Sequence, residues 1–179
     1  MRKVTSMLCV IAMLMAVSCK HAPKEMSRDE LFATIDSIEK PLMQDAQLQA
    51  VDSVQGRQLV DLYVRFADAF PEDSLTPAYL HRAAQVCNGM GQFDDMANYY
   101  DRVIDNYGDY QHLDECYYEK GIALDNAGRK DAARDAYQQF LDNYPDHFLT
   151  EDIRRAMSLL DMSDELLIEY IKNNAQQNQ

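Results

Sequence analysis

Apolar residues recur at helical spacing along most of the chain. Four segments carry apolar residues about three and four positions apart: 78–88, 94–106, 114–126 and 130–143. This spacing places them on one face of a helix, which a globular fold buries. Similar patterns predict further helices over 149–160 and 163–171. The chain has only six Gly and five Pro, too few for a turn-rich β-sandwich. The predicted fold class is therefore all-α.

A period of 37 residues organises these helices. Residues 91–109 align with 128–146 without gaps, and seven of nineteen positions are identical. One further step back keeps the register, with aromatic or apolar residues matched at Tyr63/Tyr100, Phe66/Val103 and Phe70/Tyr107. Three copies at one spacing predict a repeat architecture, in which each unit is a pair of helices.

The second full unit matches the pattern of a known repeat. Large, small and turn-forming residues stand at Tyr117, Gly121, Gly128, Ala133, Tyr137 and Pro145. The unit resembles the tetratricopeptide repeat (TPR), a helix–turn–helix motif of about 34 residues. The resemblance implies a TPR-like α-solenoid of antiparallel helix pairs with capping helices at both ends. It assigns the best repeats to 77–110 and 114–147, a degenerate half-repeat to 57–73 and a C-terminal cap to 149–172.

The expected helical domain spans 27–172 and is followed by a polar tail over 173–179. Its first helix begins with a capping box, because Ser27 is followed three residues later by Glu30. Pro41 is expected to end that helix or to bend the chain.

The first 18 residues have the pattern of a secretory signal. Arg2 and Lys3 precede an uncharged apolar run over 7–17, which is too short to span a membrane as a helix. Residues 16–19, Ala-Val-Ser-Cys, resemble the end of a bacterial lipoprotein signal, which implies that Cys19 is acylated and becomes the first mature residue. The alternatives are an ordinary signal peptide cleaved nearby and a cysteine without a role.

The tether expected over 19–26 is short, so the domain should stay close to the membrane. By resemblance to lipoprotein sorting, Lys20 after the cysteine favours the outer membrane, and the periplasmic face is expected because no acidic run follows. The helix endings are similar to those of two families of envelope proteins. These are the outer-membrane β-barrel assembly lipoprotein and the Tol-Pal system coordinator. The resemblance implies the same class of repeat-containing envelope protein, but it does not imply the specific role of either family.

The acidic balance excludes some partners. The chain has 17 Lys plus Arg against 30 Asp plus Glu, a formal net charge of −13, so nucleic acid is not an expected partner. No catalytic motif or phosphate-binding loop is present, and no catalytic residue, cofactor or metal site is assigned. The pairs His112/Glu115 and His147/Glu151 have helical spacing, but two ligands do not complete a metal site.

The repeat register places Cys87 and Cys116 on neighbouring first helices. Their offsets within the unit differ by eight residues, about 12 Å of helix. This separation exceeds the reach of a disulfide, so both are expected to be free thiols.

The resemblance also implies a concave groove lined by the first helices of successive units. The residues it assigns to a partner-binding surface are His81, Gln85, Asn88, Glu115, Tyr118, Ile122, Asp125 and Arg155. His81, Tyr118 and Arg155 form one row at the 37-residue spacing. The alternative is a groove filled by the protein's own termini.

Two functional classes follow. The first is a non-catalytic protein–protein interaction module, tethered to the outer membrane and acting in envelope assembly or maintenance on a protein or peptide partner. The alternative is a ligand-binding or enzymatic periplasmic lipoprotein.

Overall fold

The fold is all-α within the residues that the computed structural model describes, which are 25–44, 53–163, 165, 166, 168–170 and 172. Seven helices are bounded there: α1 (Arg28–Gln44), α2 (Ser53–Ala69), α3 (Thr76–Gly89), α4 (Phe93–Asn106), α5 (Leu113–Asn126), α6 (Lys130–Asn143) and α7 (Thr150–Leu160). Consecutive helices pack against each other in antiparallel pairs and form a TPR-like solenoid. None of the helices in these ranges is both long and apolar enough to cross a membrane.

The 37-residue period is visible in the helix bounds. Helices α3, α5 and α7 begin at Thr76, Leu113 and Thr150, and α4 and α6 begin at Phe93 and Lys130. Each unit has two helices of 14 residues joined by a three-residue turn, and a six-residue link leads to the next unit. The sequence prediction of four central helices is confirmed to within two residues at each end.

The turns inside the two units depend on glycine. Gly91 and Gly128 have φ angles of 70° and 74°, in the left-handed region that side chains with a Cβ rarely adopt. In the second unit, the Arg129 amide donates to the carbonyl of Leu124 at 2.8 Å, which closes the end of α5. The chain therefore reverses over three residues and returns as the second helix.

The links between units share one backbone geometry. In the link 107–112, the amide of Tyr110 donates to the carbonyl of Tyr107, and the amide of Leu113 donates to that of Tyr110, both at 3.0 Å. The same two bonds recur 37 residues earlier, and again 37 residues later in the link 144–149. These bonds set the path by which each second helix passes to the next unit.

The first helix begins as expected and ends later than expected. Ser27 and Glu30 form the capping box, since the Ser27 amide donates to Glu30 Oε2 at 2.8 Å and the Glu30 amide donates to Ser27 Oγ at 3.3 Å. Of the two alternatives expected at Pro41, an end of the helix is wrong, because α1 continues through it to Gln44. Contacts of Glu39 with α2 and α3, described below, hold the preceding turn in place.

The core consists of two adjoining clusters. One joins α1, α2 and α3 around Ile35 and Phe66, and the other joins α2 to α7 around Tyr100 and Phe140, all fully buried. Beyond α7, the described residues between 165 and 172 are helical but exposed, and Leu166 is 57% accessible. Of the expected C-terminal cap, α7 is the part that packs against α6.

Candidate functional site

The first helices of successive units lie side by side. They are α1, α3 and α5, and we call the surface that they share the groove. Arg82 of α3 donates to both oxygens of Glu39 of α1, at 2.9 and 3.1 Å. Between α3 and α5, His81 Nδ1 lies 3.9 Å from the sulfur of Cys116. Helix α3 is therefore in contact with both α1 and α5.

A pocket of about 270 Å³ opens where α3 meets α5, and we call it the seam pocket. It is lined by residues from α3, the following link and α5: Ala78, His81, Arg82, Gln85, Tyr110, Gln111, His112 and Glu115. Three of the eight residues that the sequence assigns to the groove lie here, namely His81, Gln85 and Glu115.

His81 differs from the expectation, because it is 4% accessible and so is not an open contact surface. Gln85 Nε2 donates to His81 Nε2 at 3.1 Å, so the neutral ring carries its proton on Nδ1 and donates to the Tyr110 hydroxyl at 3.2 Å. Burial lowers the pKa of His81, against the opposing effect of Glu115. His81 is therefore a neutral wall of the seam pocket.

A second histidine completes the floor of the seam pocket. His112 Nδ1 lies 2.9 Å from Glu115 Oε1, and Glu115 Oε2 lies 3.9 Å from His81 Nε2. The two imidazole rings meet edge to face with centroids 6.0 Å apart. One carboxylate thus faces two imidazoles. Within the described ranges, no group of three or more His, Cys, Asp or Glu side chains could hold a metal ion.

The other predicted groove residues lie outside the seam pocket. Asn88, Asp125 and Arg155 are exposed, and Ile122 is 37% accessible. Tyr118 corrects the expectation of a free surface residue, because it is half-buried with its ring 6.0 Å from that of Phe140. The row His81, Tyr118 and Arg155 therefore runs from buried through half-buried to exposed.

The two described cysteines are free and fully buried, as the repeat register predicts. Burial raises the pKa of the Cys87 thiol to about 11 and that of Cys116 to about 12. Neither thiol is a nucleophile at neutral pH. Cys19, the predicted lipidation site, lies outside the described residues.

Sequence reasoning missed the contribution of the link. Tyr110, Gln111 and His112 line the seam pocket although they belong to no helix. Their place in the period was a usable signal, because Tyr110 occupies the link position held by Asp73 one unit earlier and by His147 one unit later. Link side chains at this position reach back to the preceding first helix: Tyr110 contacts His81 of α3, and His147 Nε2 lies 3.2 Å from Asp114 Oδ2 of α5.

A larger cavity of about 840 Å³ lies between the links 70–75 and 107–112. It is lined partly by carboxylates, of which Asp73 is already paired with Arg28. It adjoins the seam pocket, because Ala78, Tyr110 and Gln111 line both.

Comparison with known proteins agrees with this geometry. Residues 115–147 match the family model of the tetratricopeptide repeat. The match covers most of α5, all of α6 and part of the following link. No curated protein matched the chain in a sequence search. TPR folds generally serve as non-catalytic modules for binding other proteins. The chain therefore contains a tetratricopeptide repeat within an all-α, TPR-like solenoid.

Proposed function

We propose that this protein is a non-catalytic interaction module, tethered to the outer membrane by lipidated Cys19, whose groove binds a protein partner in the periplasm. The observation that carries the proposal is the contact of α3 with both α1 and α5, with a polar pocket where α3 meets α5 and an accessible Ile122 further along α5.

The chemistry of α5 suggests what the partner presents. Ile122 offers an apolar contact, Tyr118 offers part of its ring, and Asp125 adds an exposed carboxylate one turn away. A partner segment with an apolar side chain beside a basic one complements this surface. Charges near the rim of an interface favour encounter and register more than affinity.

The tether rests on residues outside the described ranges, and its support is the sequence pattern. Residues 1–18 have the order of a lipoprotein signal, and the acyl chains of such a cysteine hold a protein firmly at a membrane. Lys20 supports the outer membrane as the destination. A short tether and a peptide-binding groove together suit a role in envelope assembly or maintenance.

Metabolic labelling with a fatty-acid analogue tests the tether. The wild-type protein should carry label and fractionate with membranes, whereas Cys19→Ala should do neither. Label and membrane association that persist in Cys19→Ala would contradict the proposed anchor.

Site-specific photocrosslinking tests the groove. A photoreactive residue at Asn88 or Ile122 should give reproducible protein adducts in intact cells, because both positions are exposed on first helices. Asn98 and Gln138, exposed on the second helices α4 and α6, are the controls. Adducts from the control positions alone would place binding on the opposite face.

A further inference from the structure

Both ring nitrogens of the buried His81 contact side chains around the seam pocket. Nδ1 faces the Tyr110 hydroxyl at 3.2 Å and the Cys116 sulfur at 3.9 Å, and Nε2 accepts from Gln85 at 3.1 Å. These contacts join α3 to the link 107–112 and to α5. The ring is therefore a structural joint between two units of the solenoid.

Among the described residues, basic side chains outnumber carboxylates around His81. Within that part of the chain, Arg82, His81 and His112 lie near only two carboxylates, Glu39 and Glu115. The titratable or charged groups facing His81 are Arg82 from α3, Tyr100 from α4, Tyr110 and His112 from the link, and Glu115 and Cys116 from α5. Arg82 is paired with Glu39 of α1, so Glu115 is the carboxylate that faces both imidazoles.

We propose that His81, His112 and Glu115 form a proton-sensitive joint that separates α3 from α5 and opens the seam pocket on acidification. A consequence for partner binding rests on the function proposed above; the opening of the joint does not.

Protonation of His81 conflicts with the contacts that hold the ring. Nε2 accepts from Gln85, so a protonated ring must lose this bond or force the Gln85 amide to turn its oxygen inward. The charge also lies on a ring that is 4% accessible and close to Arg82 and His112, with Glu115 Oε2 3.9 Å from Nε2. The closed seam therefore resists the proton, and a seam that opens to water accepts it more readily.

The sign of the effect on stability agrees with this mechanism. Burial holds the pKa of folded His81 below its ordinary value of 6.5. Below that pH the unfolded or locally opened chain binds more protons than the closed fold, so the closed fold loses stability as the pH falls. Above that pH, the ring is neutral in both states and has no such effect.

Hydrogen exchange of the free protein tests the joint directly. The amide of Leu113 donates to the carbonyl of Tyr110 at 3.0 Å, and the amide of Cys116 donates to the carbonyl of His112 at 3.2 Å. Both acceptors belong to the link 107–112. Between about pH 7.5 and about pH 5.5, the protection of these two amides, corrected for intrinsic exchange, should fall severalfold, because the opened chain binds a proton that the closed fold resists. The equivalent amides of Thr76 and Tyr79, in a link without histidine, are the internal control and should not change.

Two variants separate titration from structure. His81→Gln removes the titrating ring and should flatten the pH response of the Leu113 and Cys116 amides. His112→Gln removes a charge that lowers the pKa of His81, so it should weaken that response. A wild-type response no larger than that of Thr76 and Tyr79, or a response that survives unchanged in His81→Gln, would overturn the proposal.

Partner recovery at the two pH values then separates the two proposals. Wild-type protein should recover less crosslinked partner at the lower pH, and His81→Gln should not. If groove variants do not affect partner recovery while the exchange result holds, the proposed function fails and the joint stands. If the exchange result fails while groove variants abolish recovery, the joint fails and the function stands.

Discussion

Gly121 of α5 lies so close to Tyr137 of α6 that a Cβ atom there would overlap Cδ1 and Cε1 of the ring and lie 3.0 Å from Cζ. Tyr137 is itself 2% accessible, so its ring has little room to move. Gly121→Ala should therefore lower the free energy of unfolding by about 1–3 kcal/mol, the usual cost of overpacking. Chemical denaturation measures it.

Gly89→Ala is the matched control for that substitution. Gly89 ends α3, and a Cβ there would meet no atom within 4 Å. Its effect should stay within about 0.5 kcal/mol. Equal losses in the two variants would contradict the close contact between α5 and α6.

Glu39 ties the first helix to the rest of the solenoid. Its carboxylate accepts from the Tyr63 hydroxyl at 2.5 Å and from Arg82 at 2.9 Å, with a side-chain accessibility of 13%. Glu39→Ala should cost about 1–3 kcal/mol, because both donors lose their acceptor. Hydrogen exchange should show the loss first in α1.

An exposed pair on the same helix gives the comparison. Lys40 and Asp36 are 66% and 37% accessible and make a pair of the kind that contributes little. Lys40→Ala should change stability by less than about 0.5 kcal/mol. If it destabilises α1 as much as Glu39→Ala does, the anchoring role of Glu39 is wrong.

The buried thiols should react only through unfolding. Burial raises the pKa of Cys87 to about 11 and of Cys116 to about 12, and both side chains are inaccessible. An aromatic disulfide reagent at neutral pH should modify both cysteines at the rate of protein opening and immediately in denaturant. A Cys87–Cys116 disulfide in unreduced protein, detected by mass spectrometry, would contradict the packing of α3 beside α5.

The 37-residue period was enough to predict most of the fold. The candidate site depends on side-chain contacts that do not repeat with that period. Helix bounds followed from Gly91, Gly128 and the recurring apolar residues, since backbone conformation and burial repeat with the sequence. Glu39 and Arg82 are 43 positions apart, and their pairing does not recur in later units. The sequence pattern therefore did not predict it. Likewise, the burial of His81 depends on Tyr110 in the link, and links are the least patterned part of a repeat.

Recovery of the crosslinked partner by matched charge variants tests the central claim, which is that the groove binds a protein. Asn88→Lys with Ile122→Lys changes two exposed groove positions, and Asn98→Lys with Gln138→Lys makes the same change in charge on the second helices. In both double variants, the free energy of unfolding should stay within about 0.5 kcal/mol per substitution of the wild-type value. The groove variant should recover at least about tenfold less partner, a loss of about 1.4 kcal/mol in binding. Undiminished recovery by the groove variant, with a loss in the second-helix variant, would contradict the account.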